Sequence, residues 1–151
     1  GQYSTSLTDF RAGPVILVGA FNNDWTKRLF ARTRFTFVRQ NKAYCLQDAR
    51  KPEDRSRCID YGLPYLQLTE DFAIVSRVFD PDTGKVVVNA AGLTGFGTAE
   101  TGEFLSDEDN LAPVLKIAPP GWEKLNLQIV LATKVIQGSS GHPRIVDVHV
   151  W

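Results

Sequence analysis

The chain has 151 residues, 43% of them hydrophobic and 23% charged, with Lys plus Arg and Asp plus Glu at 17 each. This is one domain's worth of ordinary globular composition, which excludes a disordered, fibrous or repetitive protein. The formal net charge of +0 leaves no long-range field for nucleic acid or an anionic bilayer, and no apolar run reaches the roughly 20 residues of a membrane helix. Neither nucleic-acid binding nor direct membrane insertion is expected.

Residues 1–12 read as an extension or linker, and residues 13–151 as a single domain. Pro14 to Ala20 is a continuous apolar run, read as a central strand buried on both faces. Asn22 or Asn23 then caps a helix, with Asp24 in its first turn and Trp25, Leu29 and Phe30 on one stripe. Alternation from Arg34 to Gln47, with a turn at Asn41 and Lys42, predicts a hairpin whose inner positions include Phe35, Phe37, Tyr44 and Leu46. Asp48 to Pro64 is dense in charge and turn formers and reads as a solvated, mobile loop.

Phe72 to Phe79 and Lys85 to Gly92 flank Asp80-Pro-Asp-Thr-Gly84, a clear hairpin turn. The second strand runs through the glycine-rich turn Gly92 to Gly102 into a helix reaching Phe104 and Leu105. A further helix is expected to start at Ser106, with Asp109 completing a capping-box-like pair and Pro113 limiting its regularity. Leu125 to Ile136 and Arg144 to Trp151 form a terminal hairpin; in its last strand Val146, Val148 and Val150 alternate with Asp147, His149 and Trp151. The sum is a mixed α/β domain in two or three layers, with a mixed sheet of about seven strands and two to three helices.

Two turns are candidate ligand sites. A glycine-rich strand-to-helix turn presents backbone N–H groups and a helix dipole to an anion, which nominates Thr94, Gly95, Gly97 and Thr98. The spacing of Gly92, Gly95, Gly97 and Gly102 is neither a dinucleotide fingerprint nor a P-loop, and the glycines also suit close strand-to-helix packing. Asn22, Asn23, Asp24 and Trp25, at the carboxyl end of the first strand, can read and stack on a small polar molecule; capping and core filling account for the same residues equally well.

Chemistry beyond binding has thin support. Asp147 and His149 lie about 7 Å apart along a strand face, too far for a direct relay unless both lean, and Ser139, Ser140 and His142 fall in a turn. A hydrolase using Asp24 or His149 is the third-ranked reading. Cys45 and Cys58, with His142 and His149, make no zinc pattern; they are either a disulfide closing a short loop or two thiols. No metal or cofactor is called for.

The segments Pro14 to Thr26, Asp71 to Phe79, Ala90 to Thr98 with Gly102 to Leu105, and Val148 to Trp151 resemble the carboxyl-terminal region of uncharacterised acidobacterial proteins. The resemblance runs from about Thr8 onward. It implies a parent with a preceding membrane segment and regulatory part, and a periplasmic or extracellular sensing role rather than catalysis. The sequence therefore points first to a non-catalytic small-ligand-binding domain for a polar or anionic molecule. Self-assembly into a homo-oligomer through a sheet edge such as Arg144 to Trp151 comes second.

Overall fold

A computed structural model describes residues 6–151. The chain is a mixed α/β domain, with its strands divided between two sheets. Ahead of the first strand, α1 (Leu7–Ala12) starts at Ser6, whose side chain and backbone close a reciprocal capping box with Asp9. Phe10, the buried residue of α1, lies against Trp25 with ring centroids 4.1 Å apart.

The large sheet has the order β1 (Val15–Val18), β6 (Lys85–Gly92), β5 (Glu70–Asp80), β7 (Leu127–Ile136), with β8 (Ser139–Ser140) and β9 (Arg144–Val150) both on the far side of β7. β1 and β6 run parallel; the other pairings are antiparallel. The small sheet is the antiparallel meander β2 (Phe35–Gln40), β3 (Ala43–Asp48), β4 (Cys58–Asp60).

The small sheet and α2 (Asp24–Phe30) cover one face of the large sheet, burying Phe30, Phe35, Leu46, Phe72, Ile74 and Val130 together. α3 (Gly95–Ser106) and α4 (Ala112–Ile117) cover the other, over Ala73, Val75, Ile129 and Leu131. Helices, large sheet and small sheet thus make three layers.

Several expectations shift. The run Pro14 to Ala20 is not a central strand: among the described residues β1 is the edge of the large sheet, paired with β6 alone, and Ile16 and Val18 are 68% and 59% exposed. Only its α2 face is packed, through Leu17. The loop after Asp48 contains strand β4, joined to β3 by a disulfide between Cys45 and Cys58. These residues are directly opposed in the ladder, Cα atoms 4.1 Å apart, close enough for the two sulfurs to bond across the strands. After α3 the cap is Asp107, not Ser106; its side chain accepts from the Asp109 N–H and starts a 3-10 turn, and α4 follows with Pro113 in its first turn, where no N–H is needed. Gln137 and Gly138, with φ of 51° and 79°, make the two-residue reversal between β7 and β8.

Candidate functional site

Parallel strands β1 and β6 send their chains to opposite faces: β1 leads to α2 on the small-sheet side, β6 to α3 on the other. In open α/β sheets ligands collect at the carboxyl ends of such a pair. Asn22 to Trp25 and Thr94 to Thr98 flank this point, Gly19 N–H bonding Ala90 O across it at 3.0 Å. Most of their polar groups are engaged internally. Asn23 Oδ1 accepts from Trp25 and Thr26 N–H at 3.1 and 3.3 Å, capping α2, while its Nδ2 donates to Val18 O at 3.1 Å. Asp24 pairs with Lys27. Asn22 lies over Gly19, whose φ of 93° and lack of a side chain admit it.

The glycine-rich turn does cradle a carboxylate, and it is the protein's own. Asp71, 0% exposed at the start of β5, receives on Oδ2 the N–H of Thr94 at 3.1 Å, the Thr94 hydroxyl at 2.6 Å and the N–H of Gly97 at 2.6 Å. Its Oδ1 accepts from Phe72 N–H at 2.8 Å. Burial pushes the Asp71 carboxyl above its usual value, and these hydrogen bonds pull the other way. Thr98 turns inward as well, accepting from Gly92 N–H at 3.0 Å and donating to Thr94 O at 2.9 Å. Gly95 stands beside the Tyr65 hydroxyl, and Tyr65 stacks on Phe96.

Of the nominated residues, Trp25 borders two concave sites and Asn23 one of them. At the other end of the parallel pair, beside the β5–β6 turn, opens a cavity of about 200 Å³. Leu17, Leu29, Val78 and Val87 make its floor; Phe10, Trp25 and Trp151 are its aromatic walls; Arg28, Arg32, Asp80, Asp82 and Asn126 ring its mouth. Arg28 bonds Asp82 and lies 5.3 Å from the Trp25 ring centroid. Arg32 approaches the same Asp82 oxygen at 3.8 Å, and Arg11 donates to the Asp82 carbonyl at 3.2 Å. The Arg28 hydrogen bond, with the charges of Arg28 and Arg32, holds the Asp82 carboxyl below its usual value. Trp151 is fixed by paired backbone bonds with Asn126, 2.8 and 3.1 Å, and stacks on His149 at 4.8 Å. A more open depression of about 350 Å³ on the other side of Trp25 is bordered by Asp9, Pro14, Ile16 and Asn23.

The other candidates are structural neighbours. Asp147 is bound by Arg57 at 3.0 Å, with Arg34 at 3.8 Å, and no hydrogen bond joins it to His149 among the described residues. Arg34 grips Asp48 through two bonds of 2.9 and 2.7 Å. Burial, then the charges of Arg34 and Arg50, push the His149 imidazole below its usual value. Ser140 donates to the buried Glu100, and His142 contacts Glu103. No cluster of three or more metal-ligating side chains occurs among the described residues.

Sequence reading missed Arg28, Arg32 and Asp82 as site residues. The signal was present: Trp25, Arg28, Leu29 and Arg32 fall at i, i+3, i+4 and i+7, one helical face. That Asp71 fills the glycine-rich turn had no local signal, since 23 positions separate it from Thr94. Comparison with protein-family models, curated proteins and solved structures returns no match.

Proposed function

We propose that this chain is a non-catalytic small-ligand-binding domain whose site is the cavity between α2, the β5–β6 turn and Trp151. One observation carries the reading: an apolar floor and two indoles are combined with guanidinium groups at the mouth, the mix of apolar lining and few placed polar groups that small-molecule sites share. The switch-point residues serve it indirectly. Asn23 fixes the start of α2, and so the azimuth of Trp25 and Arg28. The disulfide supports an oxidising compartment, periplasmic or extracellular, as expected of a sensing domain in a membrane-associated bacterial parent.

The test is a thermal-shift and tryptophan-fluorescence screen of small acids, amides, sugars and amines. A hit is expected to raise Tm and quench emission in the unaltered protein, and to lose both effects in Trp151→Ala. A screen without any hit, or hits indifferent to Trp151→Ala in a folded protein, refutes the reading.

A second reading, self-association, is favoured by the edge of the large sheet, unpaired among the described residues, where β1 exposes Ile16 and Val18 without a charge or proline inside the strand. Sedimentation across a wide concentration range tests it; a monomer throughout excludes assembly.

A further inference from the structure

Resting on the cavity as the ligand site, we infer that its ligand class is a small carboxylic acid carrying one flat ring. Size sets the first limit. About 200 Å³ is below the roughly 300–1,000 Å³ of drug-sized sites, so the occupant is a single-ring molecule, not a nucleotide or peptide.

Charge sets the second. Two guanidinium groups, those of Arg28 and Arg32, meet the carboxylates of Asp80 and Asp82 at the mouth, while Arg11, outside the lining, donates to the Asp82 backbone carbonyl. Asp80 is spent on its own turn, its oxygens accepting from the Thr83 hydroxyl at 2.9 Å and from Asp82 N–H at 3.3 Å. Asp82 is left to serve the arginines, and Arg28 holds it more closely than Arg32 does. The Arg32 side chain, 69% exposed, keeps its planar fork of donors for a carboxylate arriving from outside.

The walls and floor set the third. His149 stacks on Trp151, yet Trp151 is 37% exposed and lines the cavity, a stacking surface for a ring; the Trp25 ring is already engaged by Phe10 and Arg28. The aliphatic floor of Leu17, Leu29, Val78 and Val87 offers no partner to hydroxyls, so a sugar would bury polar groups without hydrogen-bond partners. A ring over the floor with its carboxylate at Arg32 satisfies all three.

Calorimetric titration with phenylacetate, 3-phenylpropionate and the neutral phenylacetamide, at low and at raised salt, tests the inference. Both acids are expected to bind at least tenfold tighter than the amide, with the advantage shrinking in salt. Arg32→Gln, a change at an exposed position that leaves the fold intact, is expected to abolish the acid preference while phenylacetamide binding stays unchanged. If the amide binds as well as the acids, or Arg32→Gln keeps the preference, the carboxylate assignment is overturned and the cavity reading stands. If neither acid nor amide binds and the wider screen also yields no hit, both fall together.

Discussion

Asp71 ties the start of β5 to the first turn of α3, and its four hydrogen bonds satisfy donors that burial would otherwise leave unpaired. Asp71→Ala strands the N–H groups of Thr94 and Gly97 and is expected to cost about 3 kcal/mol, measured by urea denaturation. The neighbouring glycines grade by what a methyl group would strike. At Gly92 a Cβ would lie 2.3 Å from the Thr98 backbone nitrogen; at Gly97, 2.9 Å from Asp71 Oδ2 and 3.0 Å from Phe72 O; at Gly102 it would meet nothing within 4 Å. Alanine is therefore expected to destabilise most at Gly92, less at Gly97, and at Gly102 to stabilise α3 by about 0.5–1 kcal/mol. Equal midpoints for the three variants in the same denaturant series would contradict this order. The glycine pattern was legible in the sequence as a strand-to-helix turn with close packing. Which anion it held was not, because hydrogen-bond donors look the same whether the acceptor is a ligand or a residue far along the chain.

The small sheet is held as an element by its disulfide and by the Arg34–Asp48 pair. Cys45 and Cys58 are 13 positions apart, so the bridge restricts a short loop of the unfolded chain. Removing it with Cys45→Ser plus Cys58→Ser is expected to lower stability by about 3 kcal/mol, read from urea midpoints with and without reductant. A double variant as stable as the oxidised parent would refute that. Strand β1 was legible as a strand but not as an edge. A continuous apolar run signals two apolar faces, while the number of neighbours depends on strand order, which no local pattern encodes. β4 was hidden for a related reason: three residues in a charged loop carry too little periodicity, and their pairing with β3 supplies the order.

At the scale of the molecule, acid acts through groups on the two layers that meet at β9. The Arg34 hydrogen bond lowers the Asp48 carboxyl from 3.8 to about 2 against a burial penalty, with further help from Arg50 N–H. Folding therefore gains about 2 kcal/mol above pH 3.8, and that gain is lost as pH falls toward 2. His149, with its folded value below 6.5, contributes stability that is complete above pH 6.5 and lost as pH falls through the lowered value. Asp71, shifted upward, acts in the opposite sense: its contribution is present below pH 3.8 and lost as pH rises through the raised value. Urea midpoints from pH 7 to pH 5 are expected to fall, and to fall less in His149→Phe; an unchanged slope in that variant would refute the assignment. Residue types and periodicity determined the strand and helix segments, the turn at Asp80 to Gly84 and the cap at Asn23, since each depends on neighbours within a few positions. Tertiary structure alone decided that Trp25 and Trp151 wall one cavity, that Asp82 gathers Arg28 and Arg32, and that Asp71 closes the glycine-rich turn. Those contacts join segments remote in sequence, and the free energy that brings them together comes from packing the three layers, not from any one stretch of chain.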